Sequence, residues 1–251
     1  MTNTNKVWYI TGVTSGAGFA LCSTLLEKGY HVCGTSRSLN RINQLPFVSN
    51  NNFLGLEVDI TNEESVKKSI KRVIDKFGEI DVVVNNAGQS IMGNVEEITD
   101  KEQRMLMDVL YFGPCNVIRA VLPHFRLRKN GLIINISSVF GEASVPLFSS
   151  YCAGKAALSA MTYSLHEELK PFNIRVICIM LGYLDTNFKN PTTSNPIGEY
   201  KLESTFNKMK KTFGRHNKES PVNFAKFIIQ NSMLDNPPLK FIYRKNPKKI
   251  N

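Results

Sequence analysis

The chain has 251 residues, 42% of them hydrophobic and 21% charged, with a formal net charge of +10. That size and balance suit one α/β domain with a full core, not a disordered or fibrous chain. No apolar run approaches the roughly 20 residues a membrane helix needs, and the short polar start Met1–Asn5 is expected to carry no signal peptide.

Lys6-Val7-Trp8-Tyr9-Ile10 is a short apolar run of the kind found in buried parallel strands. It leads into Thr11-Gly12-Val13-Thr14-Ser15-Gly16-Ala17-Gly18 and a helical pattern over Phe19–Lys28. Glycines let such a turn approach a ligand closely, and the helix start offers free N–H groups to a phosphate. The spacing is Gly-x-x-x-Gly-x-Gly, not the commoner Gly-x-Gly-x-x-Gly, and a plain tight turn is the competing reading. Tyr30–Thr35 reads as the second strand. A carboxylate near its end would bind the ribose 2′-hydroxyl of NAD. The segment instead reads Thr35-Ser36-Arg37, where a guanidinium can pair with the 2′-phosphate of NADP(H). The alternative is a surface arginine.

Phe53–Val58 is a third strand ending at Asp59-Ile60, and Thr61 is placed to cap a helix running through Val66, Ile70 and Val73 to Phe77. Ile80–Val84 is a fourth, closed by Asn85-Asn86-Ala87-Gly88, whose small and amide residues suit a ligand at the carboxyl edge of a sheet. A long helix over Met105–Phe125 is expected to be interrupted at Gly113-Pro114. Gly131–Ile136 is the fifth strand, with Ser137-Ser138 at its end. Tyr151-Cys152-Ala153-Gly154-Lys155 opens the next helix and sets a phenol and an ammonium one turn apart on one face. The ammonium is expected to lower the tyrosine pKa, so that the phenol can exchange a proton with a carbonyl or alcohol oxygen. By itself the pair could equally be solvated surface. Ile174–Ile179 and Leu239–Tyr243 complete the strands.

The alternation predicts an α/β doubly wound parallel sheet of about seven strands, with helices on both faces, as one domain over residues 1–251. The irregular stretch 186–213 would overhang the carboxyl edge as a substrate lid. From Lys189 to Asn251 there are 13 Lys and Arg against 4 Asp and Glu. These cations are dispersed and accompany no nucleic-acid motif, so a solvated surface and a tail at about 245–251 are preferred to a nucleic-acid or membrane partner. Cys22, Cys33, Cys115, Cys152 and Cys178 show no metal spacing and read as reduced thiols of a cytoplasmic protein. No metal is expected.

Together these motifs resemble the short-chain dehydrogenase/reductase family from about Lys6 to Tyr243. The resemblance implies a Rossmann-type fold and NADP(H)-dependent interconversion of an alcohol and a carbonyl compound. It implies Tyr151 as general acid/base, Ser138 orienting the reacting oxygen, and Lys155 holding the nicotinamide ribose. Gly12, Thr14, Ser15, Gly16 and Gly18 would cradle the cofactor, with Arg37 and Ser15 in the NADP pattern. Asp59 and Ile60 would meet adenine, Asn86, Ala87 and Gly88 the riboses, and Thr186 the nicotinamide amide, while Asn85 braces the sheet. Family members associate through the long helices, which implies a homodimer or homotetramer over Met105–Phe125 and Tyr151–Lys170. Two departures stand out: Leu110 replaces an asparagine that positions a relay water, and Leu181-Gly182 replaces Pro-Gly. An NADP(H)-binding sensor or scaffold with little catalysis is the second hypothesis, favoured by Leu110.

Overall fold

In the computed structural model, the residues described are 6–188, 191–213 and 218–244. The chain order is β1 (Val7–Thr11), α1 (Gly16–Glu27), β2 (His31–Ser36), α2 (Leu39–Asn43), β3 (Phe53–Glu57), α3 (Glu63–Phe77) and β4 (Val82–Asn85). There follow α4 (Asp100–Met107), α5 (Gly113–Arg128), β5 (Gly131–Ser138), α6 (Ser149–Leu169), β6 (Ile174–Leu181), α7 (Leu202–Phe213), α8 (Pro221–Ser232) and β7 (Lys240–Tyr243). The strands form one sheet in the order β3-β2-β1-β4-β5-β6-β7, and every neighbouring pair is parallel.

Strand parity builds the two cores. Trp8 and Ile10 of β1, with Val82 and Val84 of β4, face the cluster shared with Leu21 and Leu25 of α1 and Phe224 and Ile228 of α8. Val7, Tyr9 and Val83 point the other way, onto Val66, Ile70 and Val73 of α3 and Val117, Val121 and Phe125 of α5. A parallel sheet covered on both faces must be apolar at successive positions, which is why these strands read as unbroken hydrophobic runs. The strand order reverses between β1 and β4, leaving a crevice at their carboxyl ends.

Three local expectations are corrected. Gly113-Pro114 does not break the long helix: α4 and α5 are joined by a π-helical turn, Asp108–Phe112, in which the Gly113 N–H reaches the Asp108 carbonyl. The wider turn accommodates a proline ring that would crowd an ordinary helix, and Pro114 has no N–H to give the Leu110 carbonyl. Asn62, not Thr61, caps α3, its Oδ1 accepting from the Ser65 N–H at 2.9 Å. The continuous stretch Asp100–Arg128 is long and apolar enough to cross a membrane by length and composition, but half of its apolar window is buried in the protein. That is the condition of a core helix. The expected tail at 245–251 lies outside the described residues.

Candidate active site

The turn that joins β1 to α1 requires glycine at particular positions. Gly12 and Gly16 have φ of +74° and +61°, in the left-handed region that glycine tolerates. A Cβ on Gly18 would lie 2.3 Å from the Gly12 carbonyl oxygen and 2.5 Å from Asn86 Nδ2. Ser15 caps α1 with no side-chain hydrogen bond, and the first turn holds no acidic residue, so the helix start is an open anion site. Asn86 fastens β4 to this turn: its Nδ2 donates to the Thr11 carbonyl at 2.8 Å and the Gly12 carbonyl at 3.1 Å. In return, the backbone N–H groups of Asn86 and Ala87 both donate to Thr11 Oγ1 at 3.0 Å. Asn85 Nδ2 donates to Asn135 Oδ1 at 2.8 Å, linking β4 to β5.

A cavity of about 690 Å³ runs from this turn along the carboxyl edge. Its wall takes in Gly12, Thr14, Ser15, Gly16, Arg37, Asp59, Ile60, Asn86, Ala87, Gly88, Ser138, Tyr151, Lys155 and Thr186. Of the expected site residues, Gly18 stands behind that wall, where its bare backbone lets α1 approach β1 and Asn86. Thr186 comes within 3.6 Å of where a Gly16 Cβ would be. The dimensions and the cradle fit a dinucleotide, with anion donors at one end and proton-transfer groups at the other.

At the second end, α6 is laid against β5 by matching periodicities. Asn135 and Ser137 share one face of β5, and Lys155, Ser159 and Thr162 share one face of α6. Asn135 Nδ2 donates to Thr162 Oγ1 at 2.9 Å, and the Ser137 and Ser159 hydroxyls lie 2.7 Å apart. The Ser137 hydroxyl also donates to the Lys155 carbonyl at 3.1 Å. Lys155 is thereby fixed, buried, with Nζ donating to the Ile136 carbonyl at 2.7 Å. Ser138 stands with Tyr151 on the cavity wall, and its Oγ accepts from the Phe140 N–H at 3.1 Å.

The expected tuning of the phenol is not what the free protein shows. Burial raises Tyr151 to about 12, against a smaller lowering by Ser138. Burial also lowers Lys155, to about 8. Lys155 Nζ lies 6.0 Å from the Tyr151 ring centroid and is turned to the Ile136 carbonyl. Desolvation therefore sets the direction of the shift at the phenol, and Lys155 is not among the groups that move it.

Several cavity residues escape sequence reasoning. Arg41 lies four positions after Arg37 on α2, and its Nη2 donates to the Thr14 carbonyl at 3.5 Å; a second arginine in a helical turn was the available signal. Gln89, Phe206 and Lys218 also line the cavity, with nothing in the local pattern to mark them. The stretch Pro191–Ile197 is clasped to the segment after β4 and to α4. The Met92 N–H donates to the Pro191 carbonyl at 2.8 Å and the Thr193 N–H to the Met92 carbonyl at 2.8 Å. Glu102 accepts from the Ser194 N–H at 2.8 Å and from Thr193 Oγ1 at 2.9 Å, and Glu97 accepts from the Ile197 N–H at 2.8 Å.

The chain matches the family model described as short chain dehydrogenase over residues 6–196. A 3-ketodihydrosphingosine reductase of Bacteroides thetaiotaomicron is 37% identical over 183 residues, covering 73% of this chain and 65% of that relative. The chain thus spans a little under two thirds of that protein's length. A short-chain dehydrogenase from Streptomyces avermitilis superposes with a TM-score of 0.86 at 30% identity, covering 96% of this chain and 89% of that one. A 3-ketoacyl-(acyl-carrier-protein) reductase from Brucella melitensis, complexed with NADH, gives a TM-score of 0.79 at 25% identity, covering 94% and 96%.

Proposed function

The chain belongs to the short chain dehydrogenase family, and from that premise we propose that it is an NADP(H)-dependent oxidoreductase interconverting an alcohol and a ketone or aldehyde. The observation that carries this reading is the convergence of Ser138, Tyr151 and Lys155 on one cavity wall that also holds Arg37 and Arg41. The nicotinamide supplies the hydride. In the direction of reduction, the chain's own residues then have defined tasks. The Tyr151 hydroxyl, held up to about 12, keeps its proton through the neutral range and gives it to the oxygen that gains negative charge. Ser138, which lowers the Tyr151 pKa against the effect of burial, orients that oxygen. Lys155, still mostly charged at neutral pH, holds the ribose and stabilises the phenolate left behind.

At the other end, Gly12, Thr14, Ser15 and Gly16 form the phosphate cradle, and Gly18 lets α1 pack close behind it. Arg37 and Arg41 pair with the 2′-phosphate, which a carboxylate would repel. Asp59 and Ile60 meet the adenine, Asn86, Ala87 and Gly88 the riboses, and Thr186 the nicotinamide amide. This reading takes residues 1–251 as one cytoplasmic domain, with 186–213 as the lid over a small-molecule substrate. It also takes the chain to associate with further copies through the outer faces of α5 and α6, where Phe112 is 51% exposed at the start of α5. The relative's printed name makes long-chain keto compounds sensible members of a test panel. NADPH consumption over that panel tests the proposal: turnover of at least one carbonyl compound is expected. Tight NADPH binding with no turnover on any member would instead support the sensor or scaffold role.

A further inference from the structure

Gln89 Nε2 is shielded from solvent, has no hydrogen-bond partner among the described residues, and belongs to a side chain on the cavity wall. Its neighbours in the chain fix the end at which it stands. Gly88 precedes it, and a Cβ on Gly88 would lie 3.8 Å from Lys155 Nζ and 3.6 Å from Leu110 Cδ2. Ile91, two residues on, shares an apolar cluster with Leu110 against which Tyr151 packs. Met92 shares another with Phe148 and Cys152, and Tyr151 and Phe206 pack against that one too. Gln89 therefore sits at the proton-transfer end, with β1 standing between its strand and β2, whose end carries Arg37.

A buried amide hydrogen without an acceptor is costly, and native folds rarely keep one without a use. We infer that Gln89 is a specificity-determining residue whose Nε2 donates to a second oxygen of the substrate, distinct from the carbonyl oxygen that Tyr151 protonates. This rests on the oxidoreductase reading and narrows its substrate class. The preferred substrate is a carbonyl compound with an apolar body, which Phe148, Phe188 and Phe206 line, and with a second oxygen near the reacting carbon. An analogue without that oxygen leaves the amide unpaired, and sites built to bond such a group discriminate strongly against its absence.

The test compares a seven-carbon methyl ketone with its analogue bearing a hydroxyl on the carbon two removed from the carbonyl, using wild type, Gln89→Leu and Gln89→Glu. Wild type is expected to favour the hydroxyketone by at least about tenfold in kcat/KM. Gln89→Leu should erase that ratio, chiefly through KM, with NADPH binding by fluorescence titration essentially retained. Melting of the free protein gives a readout independent of turnover: deleting an unpaired donor should raise Tm by about 2–4 °C. A ratio that survives in Gln89→Leu overturns the inference. So does a lowered Tm joined to weakened NADPH binding, which would make the amide a structural or cofactor group. Wild type that binds NADPH and reduces neither these ketones nor any other member of the carbonyl panel overturns the oxidoreductase reading instead. In that event, preferential thermal protection of the NADPH complex by the hydroxyketone, lost in Gln89→Leu, still supports the role of the amide, and equal protection by both ketones ends it.

Discussion

Leu110 fills the space that any side chain at Gly154 would need. A Cβ on Gly154 would stand 2.8 Å from Leu110 Cδ1 and 3.0 Å from Leu110 Cβ, and Leu110 is fully buried. The leucine on the π turn and the glycine on the helix of Tyr151 and Lys155 thus fit as a pair. Gly154→Ala should destabilise the protein by about 1–3 kcal/mol through overpacking. Because the two residues touch, adding Leu110→Ala should cost less than the sum of the single changes. Urea unfolding of the four proteins measures the coupling, and strict additivity would show that the clash is relieved elsewhere.

Tyr151→Phe removes the proton donor and keeps the ring that packs against Phe148, whose centroid lies 6.5 Å away. Reduction should fall by roughly 100-fold or more, the usual scale of acid–base catalysis, while NADPH still binds. Stopped-flow turnover beside fluorescence titration separates the two effects. Equal loss of binding would mean that the hydroxyl serves the cofactor more than the carbonyl.

Lys155 makes the free protein less stable than it could be. The unfolded chain holds this proton up to about pH 10.5 and the folded protein only up to about 8. Between those values the unfolded state binds more protons, so stability rises with pH across the window; below about 8 both states are charged and the penalty is constant. Lys155→Met should therefore stabilise the protein near neutral pH, by on the order of 1–3 kcal/mol, even as turnover is lost. The gain should shrink toward pH 10.5. Chemical denaturation across that pH range checks both points, and a gain that does not change with pH would argue against burial of the charge as its source.

Arg37→Asp turns attraction into repulsion at the proposed 2′-phosphate site. NADPH affinity should drop by about 10–100-fold, the scale of one or two charge-assisted hydrogen bonds, and NADH affinity should change little. Arg41→Ala should show a smaller effect in the same direction, since its Nη2 also reaches the Thr14 carbonyl. Wild type that binds both cofactors equally well would remove the assignment.

Glu102 ties Thr193 and Ser194 to the N-terminus of α4. Burial pushes its carboxyl up, but the Ser194 and Thr99 N–H groups and the Thr193 hydroxyl outweigh that and hold it at about 2. A depressed carboxylate pKa adds stability above the unfolded value near 4.5 and loses it as pH falls toward about 2. Glu102→Gln should lower Tm near neutral pH and flatten its decline between those limits. Limited proteolysis within the stretch Pro191–Ile197 should quicken in step. An unaltered cleavage rate would show that the Glu97 and Met92 contacts suffice.

The elements that short-range rules govern were legible in the sequence. Central parallel strands such as β1, β4 and β5 are continuous apolar runs because both faces are covered, and the edge strands β3 and β7 are short runs rich in aromatic and aliphatic residues, so all seven are readable within a residue or two. A strand, a glycine turn and a helix can be recognised from adjacent residues, and Tyr151 and Lys155 share a face because of the helical period. The helix at Pro221–Ser232 carries its own signal in Ser220-Pro221 and the spacing of Phe224, Ala225, Ile228 and Ile229, but that this face packs on α1 is decided by the fold. The continuous helix through Pro114 likewise depended on a π turn that propensity does not foresee. The charge balance at Tyr151 and Lys155 was reversed by burial, a property of everything packed around them. The pairing of Leu110 with Gly154, of Glu102 with Thr193, and the unpartnered amide of Gln89 are decided by distances between segments far apart in the chain. Sequence spacing carries local geometry; desolvation and close packing exist only once the fold has brought distant residues together.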